Sequence, residues 1–246
     1  MKNKPLLLAA VFALFFQTAI FAQTRDAIFY YQQGMEYYNK GNYARAIDSF
    51  INVKNILERT QGKQNLDYAA IINNLGLLYK DMGDYAQSEK YYREALDIYE
   101  RILGKNHPNF AAALNNMGTL YDSMGDYANA EKYYREALDI KERVLGKDNS
   151  DYALSLHNLG TVYYNTGDYA QAEKYYQDAL VIIERTLGKT HPNYATSLSG
   201  LGTLYYNLRD YAQAEKYHRE ALGIYERIQG KDHPNYAMSL NSLGLV

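Results

Sequence analysis

The chain has 246 residues, with 26 Lys and Arg against 28 Asp and Glu, and no cysteine. An apolar share of 47% with 22% charged residues supplies enough material for a core and excludes a disordered or fibrous chain. Without cysteine there are no disulfide frameworks, thiolate metal sites or cysteine nucleophiles, and the weak acidity offers no footprint for nucleic acid.

Residues 1–22 read MKNKPLLLAAVFALFFQTAIFA. Lys2 and Lys4 make a positive start, Leu6 to Phe16 an apolar run, and Ala19 to Ala22 a stretch rich in small residues. That is the anatomy of a secretory signal peptide, expected to be cut between Ala22 and Gln23. Gln17 and Thr18 interrupt the apolar run before the ~18–20 residues that a membrane span needs. The expected location is a bacterial periplasm or the exterior, and the expected mature domain runs over residues 25–246.

One period organises that domain. Gly34, Gly76, Gly118, Gly160, Gly202 and Gly244 are each 42 residues apart. Gly41, Gly83, Gly125 and Gly167 keep the same step, with Arg209 in the fifth place. So do the Gly-Lys pairs starting at Gly62, Gly104, Gly146, Gly188 and Gly230, and residues 85–103 match residues 127–145 at 15 of 19 positions. A fixed period in this range means stacked repeats.

Within residues 109–146, Leu114, Met117, Gly118 and Tyr121 recur at helical spacing and mark one apolar face. Asn109 stands at the expected N-cap, with Asp67, Asp151, Asn193 and Asn235 in the same phase. Gly125 ends this first helix. Asp126 begins a second, expected over Tyr127–Leu145, that buries Tyr127, Ala130, Tyr134, Ala137, Leu138 and Leu145. Asp84 with Gln87, Asp168 with Gln171 and Asp210 with Gln213 have capping-box spacing. A hairpin of two such helices cannot cover its own apolar face, so neighbours must stack. The expected fold is all-α: a right-handed α-solenoid, or superhelix, of helix-turn-helix units, five complete and a sixth incomplete.

Leu114, Met117, Gly118 and Tyr121, followed by Ala130, Tyr134 and Ala137, resemble the tetratricopeptide pattern in order and spacing. The first-helix aromatic is Tyr79, Tyr121, Tyr163 and Tyr205. The second-helix aromatic is Phe50, Tyr92, Tyr134 and Tyr176, with His218 in the fifth copy. The longer period, with loops such as Leu103 to Pro108, is similar to the kinesin light chain type of tetratricopeptide repeat. The resemblance implies architecture and a protein or peptide partner; an exported chain is not a cytoplasmic motor subunit.

Candidates for chemistry are few. His107, His191 and His233 share one loop phase, so neighbouring copies lie about one interhelix distance, ~8–10 Å, apart, too far for a shared metal ion. Their His-Pro step is read as shaping a turn, because Pro holds the preceding residue out of helical conformation; no metal and no cofactor are expected. Most of the 28 tyrosines hold repeat phases on buried faces and are read as packing residues, while Glu and Lys are spread along the second helices as solvated pairs. No catalytic motif is present, and the chain is not expected to be an enzyme.

The first helix keeps one further face. Opposite its packing side lie Asn115, Thr119 and Asp122; the matching sets are Asn73, Leu77 and Lys80, then His157, Thr161 and Tyr164, then Ser199, Thr203 and Tyr206. The resemblance implies that this face lines a concave groove for an extended peptide. Amides and hydroxyls suit a peptide backbone, and tyrosine offers rigid contact area; a glycan is the other occupant such a surface allows. Leu240, Leu243 and Leu245 near the C-terminus lack a second helix to cover them, which leads us to expect self-association or further chain there. The expected function is a noncatalytic exported scaffold. The alternative is the recognition arm of a longer protein whose remaining part is a caspase-like peptidase or a signalling domain.

Overall fold

The computed structural model describes residues 21–231 and 234–244; the signal-peptide assignment rests almost wholly on residues outside this range, as do His233 and Leu245. The described residues form eleven α-helices and no strand. They are α1 (Phe21–Asn39), α2 (Tyr43–Gln61), α3 (Leu66–Asp81), α4 (Tyr85–Leu103), α5 (Pro108–Ser123), α6 (Tyr127–Leu145), α7 (Ser150–Thr166), α8 (Tyr169–Leu187), α9 (Pro192–Asn207), α10 (Tyr211–Gln229) and α11 (Pro234–Gly244). The chain divides into two compact units, one ending at Asp126 and the other starting at Tyr127. In the first, α1 to α5 each pack on the next helix, and α3 also touches α5; in the second, α6 to α11 do the same, with α7 touching α9. The fold class is therefore that of an all-helical, hairpin-by-hairpin solenoid.

The second helices begin as the sequence indicates. Asp84, Asp168 and Asp210 each accept from the backbone N–H three residues on, at 3.1 Å. The reciprocal half of the capping box is absent for a physical reason. The N–H of Asp84 already donates to the Tyr79 carbonyl at 2.9 Å, and that of Asp210 to Tyr205 at 2.9 Å. Those donors are taken by the preceding helix, and the Oε1 of Gln213 is left buried without a partner.

The first helices begin two residues earlier than the spacing predicts. Their caps are Asn65, His107, Asn149 and His191, in place of Asp67, Asn109, Asp151 and Asn193. His107 Nδ1 accepts from the Asn109 N–H at 3.1 Å, as His191 Nδ1 does from Asn193; Asn149 Oδ1 accepts from Asp151 N–H at 2.8 Å. Proline has no N–H to lose and a φ already suited to the first helical position, so Pro108 and Pro192 let the helix start at once, and the residue before them becomes the cap. The His-Pro step is thus a capping device, and Asn performs it equally in the loops that lack histidine.

At the hairpin turns a left-handed residue closes the first helix: Gly83 has φ 80° and Gly125 φ 75°, and Arg209 adopts φ 63° in the fifth copy, at a conformational cost of about 1–2 kcal/mol. The Gly-Lys pairs return the lysine to a glutamate five residues back, as in Lys105–Glu100 and Lys189–Glu184, both 3.2 Å. These exposed pairs contribute little.

Packing explains the other glycine phase. A Cβ on Gly76 would lie 2.6 Å from the buried Tyr92 ring, and one on Gly160 would lie 2.8 Å from Tyr176. Bare backbone on the first helix lets the second-helix aromatic approach it. Tyr127 and Leu145 of α6 are half-buried, whereas Ala130, Tyr134, Ala137 and Leu138 are buried as expected, together with Ile140 and Lys141. Lys141 was not expected inside. Its Nζ donates to Ser155 Oγ at 2.8 Å and to the Asp151 carbonyl at 3.1 Å, and burial pulls the ammonium down to about 8.

Successive hairpins are tied by a repeating hydrogen bond 32 residues long in sequence. Tyr121 Oη donates to Glu89 Oε1 at 2.8 Å, Tyr163 to Glu131 at 2.6 Å and Tyr205 to Glu173 at 2.5 Å. Arg93 and Arg135 hold the same carboxylates at 2.6 Å and 2.8 Å, and Gln177 does so at Glu173. Each bond joins the second helix of one hairpin to the first helix of the next, inside one unit.

Candidate partner-binding face

The candidate face is built from the first helices and is described unit by unit. In the first unit, Asn73 of α3 is buried and its Oδ1 accepts from Asn116 Nδ2 of α5 at 3.0 Å. Lys80 is half-buried, with Nζ 2.8 Å from Asp81, so its charge is neutralised locally. Asn115, Thr119 and Asp122 are half-buried, and the Thr119 hydroxyl donates to the Asn115 carbonyl at 3.0 Å. Beside them Met35, Tyr38, Phe50, Asn74, Leu77 and Leu78 line a shallow depression. Asn74 Nδ2 is buried without a partner. The amide that would accept from it, 42 residues before Asn116's acceptor Asn73, is replaced by Tyr31.

In the second unit, Thr161, Tyr164, Ser199, Thr203 and Tyr206 are all half-buried. Tyr164 Oη accepts from Asn207 Nδ2 of α9, and Thr161 Oγ1 accepts from Tyr176 Oη at 3.2 Å. The Tyr164 ring tilts on Tyr169 at 6.0 Å, and Tyr206 meets Tyr211 edge-on at 5.7 Å. His157 is a packing residue more than a surface one. Its ring lies 5.0 Å from Tyr176, its Nδ1 is buried without a partner, and burial holds its imidazole down to about 4. The side chain that would meet His157 at the phase of Asn116 is missing, because that position is Gly200.

The structure thus brings Asn73 of α3 together with α5, and Tyr164 of α7 together with α9. The residues that make these bridges, Asn116 and Asn207, were missed by sequence reading. Asn74, Asn116 and Asn158 repeat at the same 42-residue step, which was the available signal. Among the described residues no group of three His, Asp or Glu converges to hold a metal ion, and no helix is long and apolar enough to cross a membrane. Nearly every polar group on the face is a neutral donor or acceptor. Its chemistry is hydrogen bonding and aromatic contact, with no paired acid and base aimed at a common point.

Hairpins in which a bare glycine faces a core ring, as Gly34 faces Phe50, Gly76 Tyr92, Gly160 Tyr176 and Gly202 His218, define a helical-repeat protein. The Tetratricopeptide repeat family matches residues 25–100, 67–143, 151–227 and 202–246; the chain belongs to that family. Among solved structures it is similar to BtubC (BKLC) from P. vanneervenii, with 25% identity and a TM-score of 0.62 over 91% of this chain and 82% of that one. The nearly identical kinesin light chain TPR-like repeats of Podosopora anserina superpose with a TM-score of 0.62 at 18% identity, over 81% of this chain and 95% of that one. A Rap protein complexed with Competence and Sporulation Factor superposes with a TM-score of 0.70 at 19% identity, over 89% of this chain and 65% of that one. Among curated proteins no sequence matches.

Proposed function

We propose that this chain is an exported, noncatalytic scaffold that holds an extended segment of a partner protein against its first-helix faces. The observation that carries the reading is the continuity of those faces within each unit: Asn116 bridges to Asn73, and Asn207 bridges to Tyr164. Neighbouring hairpins thereby present one run of half-buried amides, hydroxyls and tyrosines. Such a run matches the alternating carbonyls and N–H groups of an extended backbone, and tyrosine adds contact area at low entropic cost. The Rap protein complexed with Competence and Sporulation Factor supports a bound factor in this kind of fold. Lys2 and Lys4 ahead of the apolar run Leu6 to Phe16 support export. The groove residues are Asn73, Lys80, Asn115, Thr119 and Asp122 in the first unit, and Thr161, Tyr164, Ser199, Thr203 and Tyr206 in the second; His157 supports them from beneath.

The test is capture from a periplasmic extract, identification of the partner segment, and fluorescence anisotropy with that segment as a synthetic peptide. Replacing Thr119 and Thr203 by Arg crowds the face without touching the core, and affinity is expected to fall at least tenfold while helicity stays the same. Unchanged affinity contradicts the reading. Retention on immobilised glycans that is lost in Tyr164→Ala with Tyr206→Ala would reassign the face to carbohydrate.

A further inference from the structure

The second-helix aromatic position holds Phe50, Tyr92, Tyr134 and Tyr176, and in α10 it holds His218. His218 is 2% exposed. Its ring sits on Gly202 of α9, where a Cβ would lie 2.7 Å from its Cε1. It occupies the same slot as the tyrosines, and its Nδ1 is buried without a hydrogen-bond partner. A neutral imidazole fits this slot as a small aromatic ring. An imidazolium does not, because both its nitrogens are donors and its charge must be desolvated.

The helices packed on α10 supply no compensating charge. In α9 the only ionisable side chains are Tyr194, Tyr205 and Tyr206; between Tyr236 and Gly244 of α11 there is only Tyr236. The charges on α10 itself are Glu215, Lys216, Arg219, Glu220, Glu226 and Arg227. Glu215 is held by Arg219 at 2.6 Å and Glu226 by Lys231 at 3.1 Å, and both pairs are on the exposed side. The remaining imidazoles of this unit are His157 of α7, whose ring lies against Gly200 of α9, the cap His191, and His233, which lies outside the described residues.

We propose that His218 is an acid-sensitive latch: its protonation expels the ring from the slot on Gly202 and lets α10 and α11 part from α9, while hairpins with Tyr or Phe in that position stay closed. Burial holds its imidazole below the ordinary histidine value. The folded state thus favours the neutral ring, and the stability that this contributes is present in full above about pH 6.5 and is lost progressively as the pH falls from there towards the lowered folded value. The latch does not depend on a bound peptide, although Ser199, Thr203 and Tyr206 ride on α9 and would loosen with it.

Hydrogen exchange of the whole chain, with protection corrected for intrinsic rates at each pH, tests this. The parent carries His157→Asn, the residue found at 73 and 115 in the same phase, together with His191→Asn and His233→Asn, using the residue that already caps α3 and α7. Between pH 7.5 and 5.0 protection in α10 is expected to fall about 10- to 30-fold, the upper end being the limit for a histidine of ordinary unfolded value near 6.5 that stays neutral when folded. Adding His218→Tyr should hold the change within twofold, with α3 and α4 unaffected in both proteins. His218→Phe, the residue at position 50, is the second variant should tyrosine fold poorly. A fall of the same size with Tyr or Phe at this position, or a parent whose protection does not change, overturns the latch.

Discussion

The same substitution, Gly to Ala, is expected to change sign between two helices of this protein. At Gly160 a Cβ would lie 2.8 Å from Tyr176 Cδ1 and 2.9 Å from Cε1, where ordinary contact begins at 3.4 Å. The ring is 3% exposed and has the His157 ring 5.0 Å away, so moving it disturbs buried neighbours. Overpacking of a close-packed core costs about 1–3 kcal/mol, against a helix-propensity gain of about 1 kcal/mol for Ala over Gly. Gly160→Ala should therefore destabilise by up to about 2 kcal/mol. Gly223 of α10 meets nothing within 4 Å, so Gly223→Ala should keep the propensity gain and stabilise by about 0.5–1 kcal/mol. Urea unfolding followed by helicity, with m-values compared to verify that both variants unfold the same structure, measures both. Combining Gly160→Ala with Tyr176→Leu, which removes the ring, should recover most of the loss. Stabilisation by Gly160→Ala would refute the idea that glycine is there to admit the aromatic ring.

Lys141→Ile, using the residue found at 183, should stabilise the protein by about 1–3 kcal/mol at pH 7, since a desolvated ammonium gives way to apolar packing. Its folded value of about 8 is lowered, so the stabilisation by the neutral amine is full above the unfolded value near 10.5 and is lost as pH falls towards 8. The gain from Lys141→Ile should accordingly shrink between pH 8 and 10, read from urea midpoints. Tyr163→Phe removes the hydroxyl that holds Glu131 below the ordinary carboxylate range, with Arg135 assisting. It should cost about 0.5–1 kcal/mol at pH 7, allowing for the solvent exposure of the pair. That contribution is present above the unfolded carboxylate value and lost as pH falls through the lowered one, so the wild type and Tyr163→Phe should converge once the carboxylate is protonated in acid.

The helix pattern was legible because it rests on short-range physics. Tyr127 to Leu145 carries its apolar spacing, its charge pairs and its terminal glycine within one turn of where they act, and α6 has those bounds. The first-helix caps were placed two residues late because Asn and Asp at 67, 109, 151 and 193 have the usual cap chemistry. The imidazole acceptor before Pro108 and Pro192 is an uncommon cap. Lys141 was hidden because a lysine among Asp139, Glu142 and Arg143 looks like part of a wet face. Comparison with Tyr99, Ile183 and Tyr225 in the same phase would have exposed it. The polar face could be outlined from one helix, but Asn116 and Asn207 act across 43 residues of sequence. Which of two adjacent asparagines turns toward its neighbour depends on how the helices are rotated against each other, and that is a tertiary property.

The central claim is that a partner lies along the first helices and not on the charged outer sides of the second. A photo-crosslinking residue placed singly at Thr119, Thr161 and Thr203, and as controls at Lys132, Asp139 and Gln177, tests it directly with the captured partner. Crosslinks from the three threonine positions, and none above background from the three outer ones, are the predicted result. Crosslinks confined to the outer positions, with the threonine positions silent, would contradict it.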